Sequence, residues 1–145
     1  MQGLHLTADL YQCRCAPEWL TDAVRLGDCC RAAVEEAGLQ AVATLFHSFA
    51  PAGDGPSGVT ATILLAESHL CVHTWPELGA VTLDVYVCNF GGDHSARARA
   101  LMHTLLTLFE PETTRQHSLA RGATIATIAT AAIAAIAAIA STSST

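Results

Sequence analysis

Apolar and polar residues alternate at the start of the chain, with Leu4, Leu6, Ala8 and Leu10 on one side and His5, Thr7 and Asp9 on the other. This period of two predicts a strand over residues 4–12. The period then lengthens. Pro17, the apolar Leu20, Ala23, Val24, Cys30, Ala33 and Val34, and Gly38 beyond them predict a helix over about 17–37. Residues 40–47 read as a strand, and PAGDGPSG at 51–58 as a loop dense in Pro and Gly. Three β-prone runs follow closely, VTATILLA, SHLCVHTW and AVTLDVYVC, and their short connections favour antiparallel pairing. Helical spacing returns over 94–109 through Ala98, Leu101, Leu105, Leu106 and Phe109, and EPETT closes that helix. The sum is an α+β two-layer sandwich with an antiparallel sheet carrying its helices on one face.

With 145 residues and 51% hydrophobic content, the chain suits one ordinary core rather than two independent domains. The expected division is a domain at 1–122 and a low-complexity tail of Ala, Ile, Thr and Ser at 123–145. Ile125, Ile128, Ile133, Ile136 and Ile139 form at most a narrow apolar stripe on an Ala-rich helix. The uncharged stretch falls near the lower edge of the roughly 20 residues that span a bilayer and lacks an aromatic belt, so no membrane role is expected. A net charge of -6 with only seven basic residues argues against a nucleic-acid surface. MQGLHLTADLYQC has neither a cationic start nor a long apolar run, which points to the cytoplasm. The six cysteines contain no CxxC and are expected to be reduced.

Candidate chemistry concentrates in ESHLCVHTWPE, residues 67–77. A Ser68 hydroxyl can attack the Glu67 carbonyl, and His73 is a candidate acceptor for the proton lost if the resulting ester eliminates. Elimination would leave a pyruvoyl group at residue 68. Cys88, at the end of the next apolar run, is placed to supply a proton in the same pocket. A second reading starts from strand geometry, which puts His69, Cys71 and His73 on one face and Ser68, Leu70, Val72 and Thr74 on the other. Two His and one Cys are good zinc ligands, with Cys88, His47 or solvent as a fourth. The plainest reading is a buried strand with satisfied polar residues, and a Cys88 that fills core volume.

The joint order of Glu67–Ser68, His73 and Cys88, together with HLTADLYQC, FHSFAP and GVT, resembles the prokaryotic S-adenosylmethionine decarboxylase proenzyme family over residues 4 to about 110. The tail does not share the resemblance. What the resemblance implies is specific: cleavage between 67 and 68, a pyruvoyl cofactor from Ser68 that forms a Schiff base with the substrate amine, His73 assisting cleavage and Cys88 as catalytic proton donor. Thr60 stands where the family commonly has a serine that aids cleavage, Asn89 where a glycine often follows the cysteine, and DGPSG lengthens the loop before GVT. The implied substrate is S-adenosylmethionine, with Phe49 and Trp75 as aromatic contacts and Glu77 as acceptor for ribose hydroxyls. The product would be the aminopropyl donor for spermidine synthesis, and no metal is implied. Two cleaved protomers, two α and two β chains, would pair their sheets into a four-layer αββα dimer. Ornithine or arginine remains an alternative substrate, and a binding protein of the same fold that never processes is an alternative of another class.

Overall fold

The computed structural model describes residues 2–50 and 54–122, together with Thr130; the expected tail at 123–145 otherwise lies outside the described residues. A single antiparallel sheet organises the chain. Its strands are β1 (Gly3–Cys13), β2 (Ala41–Ser48), β3 (Val59–Leu65), β4 (Ser68–Trp75), β5 (Ala80–Cys88) and β6 (Pro111–Arg121). They lie side by side in the order β2-β3-β4-β5-β1-β6. Helices α1 (Glu18–Thr21), α2 (Ala23–Glu36) and α3 (Ser95–Phe109) supply the second layer. The expected α+β sandwich is therefore the observed one.

Alternation decides which sheet face is covered. Leu4, Leu6, Ala8 and Leu10 of β1, Ala61, Ile63 and Leu65 of β3, Leu70 and Val72 of β4 and Val81, Leu83, Val85 and Val87 of β5 form one buried cluster with the helices. From α2 come Leu26, Cys30, Ala33 and Val34, and from α3 Ala98, Leu101, Met102, Leu105 and Phe109. Removing this much apolar surface from water is the main favourable contribution to the fold. The other face of the sheet stays open and carries His5, Thr7 and Asp9 of β1, as their alternation requires.

Two expectations need correction. The helix placed over 17–37 is two helices, because Asp22 is extended and its carboxylate accepts hydrogen bonds from the Val24 and Arg25 amides, capping a new start. The apolar stripe shifts with it: Val24 is exposed, while Leu26, absent from the sequence expectation, is fully buried. After α3, Glu110 in the left-handed region does end the helix, but Pro111 begins strand β6 where only a helix end was expected. The segment PETTRQHSLAR has no apolar face, and β6 is held through backbone pairing with β1 from Gly3↔Arg121 to Cys13↔Pro111. Period-2 reading cannot detect such a strand.

One buried polar side chain joins the layers. The Thr74 hydroxyl donates to the Leu20 carbonyl at 2.6 Å and accepts from the Val59 amide at 2.8 Å, linking α1, β3 and β4. Beside it the backbones crowd, and a Cβ on Gly58 would lie 2.1 Å from the Thr74 carbonyl oxygen. This contact explains why GVT begins with glycine.

Candidate active site

Ser68 is the first residue of β4 and Cys88 the last of β5, so antiparallel pairing of these strands brings both to the same end of the sheet. The Cys88 amide donates to Ser68 Oγ at 3.0 Å. Both residues line a cavity of about 370 Å³ with Gly38, Gln40, Glu67, Phe90, His94 and Arg97 among its other walls. Glu67 itself is exposed in the β3–β4 turn, and on its other side a second concavity is bounded by Glu67, Tyr86, Cys88 and Phe90. The scissile peptide expected from sequence thus sits at an accessible turn, with the Ser68 hydroxyl and the Cys88 thiol at one cavity.

His73 is elsewhere. It lies on the open face of β4, five residues from Ser68, which at about 3.3 Å per residue is roughly 16 Å along the strand. The expectation that Ser68, His73 and Cys88 share one pocket is therefore corrected for a single chain. The structure instead pairs His73 with Thr60, its register partner across β3 and β4, through a 2.9 Å contact between Thr60 Oγ1 and His73 Nδ1. The tautomer protonated at Nδ1 donates to Thr60 and leaves Nε2 available as an acceptor.

The three expected substrate contacts do come together, though not beside Ser68. Phe49, Trp75 and Glu77 line a cavity of about 250 Å³ with Gly58 and Thr74, at the far end of β4. The Phe49 amide donates to the Gly58 carbonyl at 3.0 Å, which ties the end of β2 to the start of β3 beside this cavity. Ring contacts make the region continuous with Thr60 and His73, since His73 and Trp75 are 6.2 Å apart and His47 and Phe49 6.0 Å apart, centroid to centroid.

The zinc reading finds no supporting geometry. His69, Cys71 and His73 do share the open face, but each turns to a different neighbour: His69 to His5 and Tyr86, Cys71 to Thr62, His73 to Thr60. No cluster of three or more His, Cys, Asp or Glu able to hold a metal occurs among the described residues. All six cysteines are free, and burial raises the thiols of Cys13, to about 11, and Cys30, to about 12.

Sequence reading missed a polar cluster in the middle of the open face. His5 Nε2 donates to Asp84 at 3.1 Å while its Nδ1 accepts from Arg121 at 3.3 Å, and the Arg121 guanidinium lies 5.3 Å from the Tyr86 ring centre. Burial, with the His5 charge second, holds His69 below the usual histidine range. The alternation of β1 marked His5 as outward, but its Arg121 partner required strand β6, which had no sequence signal. Phe90, His94 and Arg97 beside Ser68 were missed for a similar reason: only the chain's return from β5 into α3 places them there.

An open-faced antiparallel sheet with a serine at the start of one strand and a thiol at the end of its neighbour defines a class, an α+β sandwich with a hydroxyl and a thiol at one end of its sheet. The S-adenosylmethionine decarboxylase family model matches residues 4–122, and the chain belongs to that family. The match runs through β6, beyond residue 110 where the sequence resemblance was expected to fade. The S-adenosylmethionine decarboxylase proenzyme of Archaeoglobus fulgidus is 35% identical over 120 residues, covering 83% of this chain and 97% of that protein. That of Syntrophomonas wolfei is 41% identical over 86 residues, covering 59% of this chain and 63% of that one. The crystal structure of the adenosylmethionine decarboxylase from Aquifex aeolicus superposes with a TM-score of 0.72 at 31% identity, covering 84% of this chain and 92% of that chain.

Proposed function

We propose that this protein is a self-processing, pyruvoyl-dependent decarboxylase that converts S-adenosylmethionine to decarboxylated S-adenosylmethionine and carbon dioxide. The observation that carries the reading is the Ser68–Cys88 pairing at a cavity next to an exposed Glu67–Ser68 turn, in a chain of this family. The residues present fit the cofactor, because the serine that would be its source is already at the cavity wall with the thiol. A pyruvoyl carbonyl would supply the electron sink that decarboxylation of an amino acid needs and that ordinary side chains lack. Around it Cys88 holds the proton that returns to the substrate's α-carbon. Glu67 provides the carbonyl that Ser68 attacks, and Thr60 holds the ring of His73, the proton acceptor in cleavage.

These roles cannot all serve one substrate within one chain, given roughly 16 Å between Ser68 and His73 and roughly 23 Å between Ser68 and Trp75 along β4. A two-fold pairing of open sheet faces removes the conflict. It would lay the Thr60, His73 and Trp75 end of one protomer against the Ser68 and Cys88 end of its partner, twice over. The open face is suited to burial: Leu45, Leu64 and Leu119 are 66%, 50% and 48% exposed in the single chain, among His, Thr and Tyr side chains. The four-layer αββα dimer, the substrate roles of Phe49, Trp75 and Glu77, and a place in spermidine synthesis belong to this proposal. So does a cytoplasmic location; among the described residues no helix is long and apolar enough to cross a membrane.

Carbon dioxide release from carboxyl-labelled S-adenosylmethionine, ornithine and arginine tests the reading. Label is expected from S-adenosylmethionine, and release from ornithine or arginine alone would overturn the substrate while leaving the chemistry.

A further inference from the structure

The cavity behind Ser68 contains two basic side chains, His94 and Arg97, that the decarboxylation does not use. Arg14, Arg25 and Arg31 are each within ion-pair distance of a carboxylate, Glu112, Glu18 and Asp28 respectively. Arg97 instead donates to the Gly38 carbonyl at 3.0 Å and meets no carboxylate among the described residues. His94 Nδ1 is shielded from solvent and has no hydrogen-bond partner. The acid next to it, Asp93, accepts from the Ser95 amide at 2.9 Å, and the Ser95 hydrogen bonds, with a smaller contribution from His94, hold it below the usual carboxylate range. Asn89 fixes the segment, accepting from the His94 amide at 3.0 Å and donating to Ser95 Oγ at 3.2 Å.

We propose that His94 and Arg97 receive the carboxylate that self-cleavage frees at Glu67. The inference rests on the self-cleavage reading, whose chemistry demands such a group. Addition of Ser68 Oγ to the Glu67 carbonyl carbon and rupture of the peptide C–N bond leave an ester and a free amine on residue 68. Loss of the Ser68 α-proton then breaks the Cβ–Oγ bond, and Oγ departs with the electron pair as part of a new Glu67 carboxylate. Water replaces the nitrogen on residue 68 as ammonia leaves, giving the ketone. Each cleavage therefore adds one negative charge to a residue whose side chain already carries one, in a chain of net charge -6. Like charges this close repel unless a cation is near.

Two sides are open to the freed end, since Glu67 borders both the cavity with His94 and Arg97 and the concavity with Tyr86, Cys88 and Phe90. Only the first has basic groups on its walls, since Arg121 beside the second is turned to His5 and the Tyr86 ring, and the start of α3 adds its positive dipole end to the first. Capture on that side draws the cut end away from Tyr86, which borders only the second concavity. His94 and Arg97 are thus positioning residues for the cut end, which leave the concavity bordered by Tyr86, Cys88 and Phe90 free.

The test compares the intact Ser68→Ala protein with cleaved wild type, cleavage being verified by mass, using NMR titration of His94 and of a 13C-labelled Glu67 carboxylate. His94 is expected to titrate about one pH unit higher after cleavage, as for a histidine that gains a close carboxylate. Arg97→Met should raise the titration midpoint of the freed carboxylate, and Arg97→Lys should restore it. Identical His94 titration in intact and cleaved protein, or a carboxylate indifferent to Arg97→Met, overturns the inference. A wild-type mass showing one uncut chain overturns the self-cleavage reading first, and this inference with it.

Discussion

Ser68 opens β4 and Trp75 closes it, and the two ends are equipped differently. At the first end a hydroxyl and a thiol face a cavity beside an exposed turn. At the second, an imidazole is held by a threonine and flanked by aromatic rings over a cavity walled by Glu77. On the proposed function, one end holds the groups that are changed or that donate to the reacting carbon, and the other the groups that accept a proton and grip a flat, cationic substrate. An eight-residue strand is too stiff to fold the ends together, so on that proposal a second chain completes the site.

Substitutions at each end sharpen the contrast. Ser68→Ala should abolish cleavage altogether, leaving a single intact chain on a denaturing gel and no carbon dioxide release. His73→Ala, at the other end, should slow elimination by a factor of roughly 100 to 10,000, the usual contribution of a positioned base. Hydroxylamine would trap the accumulated ester by cutting after Glu67; normal cleavage in this variant would remove His73 from the chemistry. Cys88→Ala separates processing from turnover: two chains should still form, while carbon dioxide release falls or the enzyme inactivates itself by protonation at the wrong carbon. Wild-type turnover in Cys88→Ala would return that thiol to its plain role of filling space.

The smallest effect is on stability. Thr74→Val leaves the Leu20 carbonyl and the Val59 amide without their buried hydroxyl partner, a loss of roughly 1–3 kcal/mol seen as a lower urea midpoint. Because Thr74 and Gly58 wall the Trp75 cavity, weaker substrate binding should accompany it while cleavage at Ser68 proceeds.

Much of this fold is legible in the sequence. Alternation in β1, β3, β4 and β5 gave the sheet and its covered face, because a half-buried strand writes its environment into every second residue. The spacing of Ser68 and Cys88 at the facing ends of two adjacent runs marked one end of the site. The strand reading already puts Ser68 and His73 five residues apart on opposite faces, and only the order of the motif places His73 beside Ser68, from which extended geometry carries it away. Sequence could not find β6, whose side chains after Pro111 are all exposed and whose place is set by backbone hydrogen bonds that any residue except proline can make. The break at Asp22 lay within a helical pattern; its capping residue was visible but its extended conformation was not.

The most direct test of the division between ends is co-expression of differently tagged Ser68→Ala and His73→Ala chains, with mixed dimers isolated through both tags. Each mixed dimer has one intact Ser68 and one intact His73, on different chains. If the ends work across the two-fold, the His73→Ala chain should be cut at Glu67–Ser68 at near the wild-type rate, although neither variant cuts appreciably alone. Mixed dimers that stay as uncut as the parent variants would contradict the account and require His73 to act on the Ser68 of its own chain.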